Sequence, residues 1–240
     1  MVEKRQHMHS IRRPTMTRRT LIEILSQQIA QIQRPHPVRV AIDGIDNAGK
    51  TTLADELGQE LRKIDRHVIR TSIDCFHRPR HERYRRGTLS PKGYFNDSFD
   101  LDVLKDNLLK PLGPAGDLHY VETSFDFHKD IPVERVIKNA ETNAILLFDG
   151  VFLLRSELNA FWDFSIFLHV SFKTALNRAL KRDGKLFGNA QETAKRYRQR
   201  YIPGQKLYLK AVNPQQLADI IVDNNDPENP MIHKGMDTYF

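Results

Sequence analysis

Gly44 and, five residues on, Gly49-Lys50-Thr51 stand in a stretch reading AIDGIDNAGKTT at residues 41–52. Two glycines flanking a short polar loop let the backbone turn tightly and leave no Cβ between its N–H groups and a bound anion. The lysine adds a positive charge, and the hydroxyl after it is a hard oxygen ligand of the kind Mg²⁺ prefers. This G-x-x-x-x-G-K-[ST] constellation cradles the phosphates of ATP or GTP. It arises by chance in on the order of 1% of chains this long, so its setting decides. Gly44, Asn47, Ala48, Gly49, Lys50, Thr51 and Thr52 are therefore the expected nucleotide contacts, with Lys50 on the β- and γ-phosphates and Thr51 on Mg²⁺.

The setting must be a buried strand before the loop and a helix after it. Val38-Arg39-Val40-Ala41-Ile42 is a short β-branched apolar run, and Leu53, Leu57 and Leu61 then recur every four residues among charged neighbours. A helix there aims its free N–H groups and the positive end of its dipole at the loop. Further apolar runs at residues 67–72, 144–148, 164–170 and 218–223 read as strands, with helical patterns between them. Strands alternating with helices predict an α/β domain of the P-loop NTPase type: a parallel sheet of about five strands with helices on both faces.

Outside that core, residues 1–16 read as a disordered basic tail. Residues 17–36 read as an amphipathic helix opened by a Thr20-Leu21-Ile22-Glu23 capping box. The main domain is expected over 37–224, with residues 225–240 a turn-rich tail. Residues 77–97 read as an arginine-rich loop punctuated by Pro79 and Pro91, and 113–131 as a hairpin or lid-like excursion. Helical stretches at 173–183 and 190–201 carry two basic clusters, and a lid is expected near 178–190.

Ligands of such sheets collect at the carboxyl ends of the strands, where this chain places acids. Asp149 closes the 144–148 run and is the expected Mg²⁺-organising carboxylate alongside Thr51. Asp74 follows the 67–72 run and is a candidate general base for an attacking hydroxyl. Cations must offset the charge of a moving phosphoryl group, and Arg178 and Arg182 are placed for that on the lid. His77 and His81 are four apart, but Pro79 between them breaks any shared helix face, so they do not read as a zinc pair.

The formal charge of +7 sits almost wholly in residues 1–39, which hold eight basic residues against two acidic ones. A basic tail on a near-neutral body weighs against a nucleic-acid protein. No apolar run reaches membrane-spanning length, and a single cysteine, Cys75, excludes an internal disulfide and suits a reducing, cytoplasmic setting.

Taken in order, the P-loop, Ile73-Asp74-Cys75-Phe76-His77, Ser98-Phe99-Asp100, Phe148-Asp149-Gly150-Val151, residues 178–183 and Ala218-Asp219-Ile220-Ile221 resemble the uridine kinases. These belong to the phosphoribulokinase and uridine kinase superfamily of P-loop kinases, and the resemblance spans about residues 38–224. It implies a five-stranded parallel core and transfer of the ATP γ-phosphate to a primary hydroxyl, the ribose 5′-OH of uridine or cytidine. Asp74 matches the family's catalytic aspartate, and Asp149 stands where many members carry Glu. Phe125-Asp126-Phe127-His128 resembles the segment that frames the base, with Phe for Tyr and the His displaced, while residues 93–100 depart from the nucleoside-holding segment. His77, Arg78, Tyr94, Phe125, Phe127, His128 and Arg178 are thus the expected acceptor contacts.

Asp74-Cys75-Phe76-His77-Arg78 also resembles phosphoribulokinase, which leaves a sugar-phosphate acceptor as the alternative. A third reading is a nucleotide-dependent switch or hydrolase, in which the arginine-rich loop and the basic tail meet an RNA or protein partner. Assembly into a homo-oligomer stays open.

Overall fold

The five apolar runs become five parallel strands of one sheet in the computed structural model, which describes residues 16–183 and 189–234. The strands are β1 (Val38–Gly44), β2 (Val68–Ser72), four two-residue strands β3 (His119–Tyr120), β4 (Phe125–Asp126), β5 (Ile131–Pro132) and β6 (Lys138–Asn139), then β7 (Ile145–Asp149), β8 (Phe164–His169), β9 (Ile220–Asp223) and β10 (Met231–Lys234). The main sheet runs β10-β9-β8-β1-β7-β2. The chain leaves β1, crosses over β7's position to β2, and later returns across β1 to β8. The carboxyl end of β1 is thus a point where the winding reverses, the usual place for a ligand crevice.

Helices in chain order are α1 (Arg18–Gln31), α2 (Lys50–Arg62), α3 (Arg80–Arg83), α4 (Pro91–Asp97), α5 (Leu101–Leu104), α6 (Ser156–Asn159), α7 (Phe172–Asp183), α8 (Ala190–Arg196), α9 (Ile202–Val212) and α10 (Pro214–Leu217). Period-two alternation divides the sheet between two apolar clusters. Val40, Ile42, Ile145 and Leu147 face α1 and α2, packing with Leu21, Leu25, Leu53 and Leu57. Ala41, Leu146 and Phe148 face the other way, with Phe76, Leu108, Phe152 and Tyr208. Among the described residues no helix is long and apolar enough to cross a membrane.

Several local expectations shift. The turn-rich tail contains β10, which pairs antiparallel with β9 and makes the sheet six-stranded. Met231-Ile232-His233-Lys234 is too short and polar to announce itself, and the open edge of β9 recruits it. Helix α1 starts one turn before the Thr20 capping box: Thr17 is the cap, its hydroxyl accepting from Thr20 N at 3.2 Å. Pro91, read as a breaker, opens α4 at its first position with Ser90 as cap, because a proline there gives up an N–H that has no partner anyway. The helical run from 190 continues to 212 because one wide turn at Tyr197–Tyr201 comes just before Pro203, whose ring would clash in a regular helix.

The 113–131 excursion is a pair of nested ladders, β3 with β6 and β4 with β5. The tail at 1–15, the tip of the expected lid at 184–188 and residues 235–240 lie outside the described residues.

At the far end of the sheet Arg39 is buried against Asp163, Nε to Oδ2 at 3.0 Å, and Asp163 also accepts from Arg39 N at 2.9 Å. Removing the carboxylate strands a buried charge. Asp163→Ala is expected to lower the unfolding free energy by about 3–5 kcal/mol in urea titration. A change below 1 kcal/mol, on the scale of about the median for surface pairs, would show that water reaches Arg39 freely.

Candidate active site

β1 delivers the chain to Gly44, whose φ of +150° brings a would-be Cβ to 2.5 Å from Leu168 O. Gly49, at φ +97°, is the N-terminal cap of α2, and no side chain caps that helix. The orphan N–H groups of the first turn are left for an anion, the cradle a triphosphate requires. Lys50 is buried and donates from Nζ to Ile45 O at 2.8 Å, so its charge lies across the loop. Thr51 and Thr52 occupy the exposed first turn of α2.

The loop's carbonyls face the other way and are held from behind. Arg178 donates to Asn47 O at 3.1 Å and Ala48 O at 3.3 Å, and its second Nη to Asn224 O at 2.7 Å. Asn224 Nδ2 donates to Ala48 O at 2.7 Å. Asn47, at φ 58°, donates from its amide to the Tyr197 hydroxyl at 2.7 Å. Arg178 therefore does not face an acceptor as expected: its guanidinium is consumed by outward carbonyls, and desolvation there lowers its pKa. Asn224 was missed by sequence reasoning, although its place just past β9 was a signal.

Four aspartates surround the loop. Asp149 Oδ2 accepts from the Thr51 hydroxyl at 2.6 Å. Its Oδ1 lies 2.7 Å from Arg70 Nη1 without hydrogen-bond alignment, so that buried oxygen is paired in charge but has no donor aimed at it. Hydroxyl and carboxylate oxygen side by side, one lone pair uncommitted, suit Mg²⁺, which takes few protein ligands and keeps waters and phosphate oxygens for the rest. Nothing in the strand pattern had marked Arg70.

Asp74 sits in the turn after β2, its N–H capped by Ser72 Oγ at 3.0 Å and its side chain 57% exposed. Of the four it is the one open to a diffusing acceptor. Asp46 is held inside the P-loop by the Tyr94 hydroxyl, at 3.0 and 2.9 Å, and by Gln205 Nε2 at 2.5 Å. Burial raises its pKa, opposed by Lys50, the Tyr94 hydrogen bond and Arg182, while Asp74 adds to the rise. Asp43 is fully buried and accepts from the Tyr208 hydroxyl and from Gly44 N at 2.8 Å.

The excursion is pinned beside Asp74, since Ser124 N donates to Cys75 O at 2.9 Å. His77 lies between the rings of Phe99 and Phe127, at 4.6 and 4.9 Å, and His128 continues the stack at 3.9 Å from Phe127. Burial lowers the His77 pKa, opposed by the charge of Asp74 and by the hydrogen bond to its carbonyl, with Nδ1 3.0 Å from Asp74 O.

Other expected acceptor contacts are placed elsewhere. Tyr94 is buried with its hydroxyl on Asp46, and Phe125 is buried at 6% exposure. Arg78 is tied to Glu82 at 3.1 Å and to Phe99 O at 3.1 Å. In the second basic cluster Lys195 and Arg198 are exposed, whereas Arg200 is 2% exposed and donates to Ser90 O at 3.1 Å.

Residues 40–229 match the phosphoribulokinase / uridine kinase family. The chain belongs to that family. A uridine kinase of Lactobacillus johnsonii is 24% identical over 194 residues, covering 80% of this chain and 88% of that one. The structure of a possible uridine kinase from Bacillus stearothermophilus superimposes with a TM-score of 0.68 at 24% identity, over 85% of this chain and 97% of that one. A putative fructose transport system kinase from Silicibacter sp. TM1040 does so at 0.67 and 22% identity, over 82% and 96%. These likenesses agree on the fold, a mostly parallel sheet flanked by helices. Family membership makes this a P-loop kinase, a phosphotransferase with an alcohol acceptor, and implies use of ATP.

Within this kinase, Asp43 offers a pH test. Burial pushes its carboxyl up to about 6 from the usual 3.8, against the pull of Tyr208 and Gly44. A folded pKa above the unfolded one means the group's contribution is fully present below about pH 4 and is lost as pH rises through about 6. Two units correspond to about 3 kcal/mol. The unfolding free energy of Asp43→Asn relative to wild type should shift in the variant's favour by about that much between pH 4 and pH 7. A flat difference would show that Asp43 ionises without penalty.

Proposed function

We propose that this kinase phosphorylates the 5′-hydroxyl of a nucleoside, uridine or cytidine, with ATP and Mg²⁺. The observation that carries the reading is the contrast around Asp74. An open carboxylate stands beside a run of rings, His77, Phe127 and His128, inclined to one another by 26° and 35°, aromatic surface of the kind a nucleobase packs against. Four of the five neighbouring arginines are neutralised within their own segment and its contacts: Arg78 by Glu82, Arg83 by Asp130 at 2.7 Å, and Arg85 and Arg86 by Asp97 at 2.6 and 2.7 Å, while Arg80 is exposed and meets Asp130 through its backbone N–H at 2.9 Å. A phosphorylated sugar would have to compete with those carboxylates for its cations, which disfavours the sugar-phosphate alternative.

In this reading the first-turn N–H groups of α2 and Lys50 hold the β- and γ-phosphate oxygens. Thr51 and Asp149 would hold Mg²⁺, which when bound spreads the charge of those oxygens. Asp74 takes the proton from the acceptor hydroxyl as its oxygen attacks the γ-phosphorus, the bond from that phosphorus to the β,γ-bridging oxygen breaks so that ADP leaves, and Arg182 adds positive charge from the lid side. Proximity of the two substrates supplies most of what remains, because there is little covalent work for the protein in phosphoryl transfer.

ADP release should be stimulated by uridine or cytidine within a panel that also holds other nucleosides, nicotinamide riboside, pantothenate and ribulose 5-phosphate. Asp74→Asn should lower kcat by about 10²–10⁴-fold with the KM for ATP little changed. A selective response to the sugar phosphate would transfer the assignment to that acceptor. Release indifferent to every acceptor would sink both and favour a hydrolase working with a macromolecular partner.

A further inference from the structure

Helix α1 lies outside the residues that match the family, yet its first turn is wired to the phosphate loop. Arg18 donates from Nη1 to Asn224 Oδ1 at 3.2 Å. The amide of the same Asn224 donates to Ala48 O in the P-loop at 2.7 Å, and Asn224 is 2% exposed. The other edge of the Arg18 guanidinium grips Glu56 on α2, Nε at 2.9 Å and Nη2 at 2.5 Å. Arg18 N also donates to Glu228 O at 3.2 Å, tying the start of α1 to the segment between β9 and β10. One side chain thus bridges the element behind the P-loop and the helix in front of it.

We infer that Arg18 is a positioning residue for nucleotide binding, acting through Asn224 on the Ala48 peptide. The Asn224 side chain has one oxygen and one NH₂ group, and its orientation sets which of them meets Ala48 O. With Arg18 donating to Oδ1, the amide must present Nδ2 to the carbonyl. That fixes the Ala48–Gly49 peptide with its carbonyl outward and its N–H toward the phosphates. The space is tight, for a Cβ on Gly49 would come 2.8 Å from Asn224 Nδ2. Without Arg18 the amide is free to turn, and the loop must spend binding energy on reordering when nucleotide arrives. Linkage is reciprocal, so nucleotide in the loop tightens the docking of the first turn of α1.

Arg19 provides the comparison. It sits on the same turn, carries the same charge and also reaches α2, at Glu60, 3.3 Å away, but among the described residues no contact leads from it to the P-loop. The inference rests on the nucleotide-site reading, and direct binding separates the two. Calorimetry of the full chain with Mg²⁺ and a non-hydrolysable ATP analogue should give Arg18→Ala a Kd raised about three- to tenfold, while Arg19→Ala stays within about 1.5-fold of wild type. Adding Arg18→Ala to Asn224→Ala should weaken binding no further, since both act on one peptide. In turnover, the loss should appear in the KM for ATP, with kcat and the acceptor KM held.

Arg18→Lys keeps the charge beside Glu56 but lacks the fork to reach Asn224 as well, so it should lose affinity while its thermal midpoint stays at the wild-type value. That variant keeps the test valid if the alanine protein unfolds. Amides of the first turn of α1 should exchange more slowly once nucleotide is bound. Equal losses at Arg18 and Arg19, additive effects with Asn224→Ala, or unchanged binding in both Arg18 variants would overturn the inference. Wild type that binds no nucleotide would overturn the kinase reading as well.

Discussion

A loop that turns its N–H groups toward a polyanion must turn its carbonyls away from it, and those carbonyls need donors. In this chain the donors are Arg178 from α7 and Asn224 from the end of β9, which meet behind Asn47 and Ala48. Much of the architecture follows from that need. β8 must lie beside β1, and β9 beside β8, so that α7 and Asn224 come to the back of the loop. Gly44 must have no Cβ because Leu168 of β8 is already there. The phosphate cradle is thus a product of the sheet order as much as of the glycine-rich segment itself.

The second constraint is negative charge. Four aspartates crowd a site meant for a triphosphate, and the fold gives each a different neighbourhood. Asp43 is buried under the Tyr208 hydroxyl, Asp46 is held by Tyr94 and Gln205, and Asp149 is shared between Thr51 and Arg70. Asp74 alone keeps an open carboxylate. Chemically identical groups are thereby separated into structural, loop-bracing, metal-suited and solvent-open environments, which is how one residue type can serve several tasks in a small volume.

The acceptor side obeys the same economy of charge. Of the arginines that look in sequence like a phosphate-binding loop, Arg78, Arg83, Arg85 and Arg86 are spent on Glu82, Asp130 and Asp97, and so serve to stiffen the segment between β2 and α5. What lies beside Asp74 instead is the edge of His77, Nδ1 3.0 Å from Asp74 O, with its ring packed between Phe99 and Phe127. Family membership leaves the acceptor open within a group that spans nucleosides and sugars. The pairing of these arginines is what turns the reading toward an uncharged acceptor.

By itself the sequence determined the strand–loop–helix of the P-loop, the five parallel strands, the carboxylates at the strand ends and the kinase family. Each of these is local: a spacing of glycines, a period of two or of four, an acid just past an apolar run. Only the tertiary structure decided that Arg178 donates to the carbonyls of the loop, that Tyr94 and Phe125 are buried, that Arg78, Arg83, Arg85 and Arg86 are paired with carboxylates, and that β10 completes the sheet. It also decided that Arg18, Asn224 and Ala48 form one chain of hydrogen bonds. These contacts join residues up to 206 positions apart. A charged side chain looks the same in sequence whether it meets solvent, a ligand or a carboxylate, and only the fold brings it a partner.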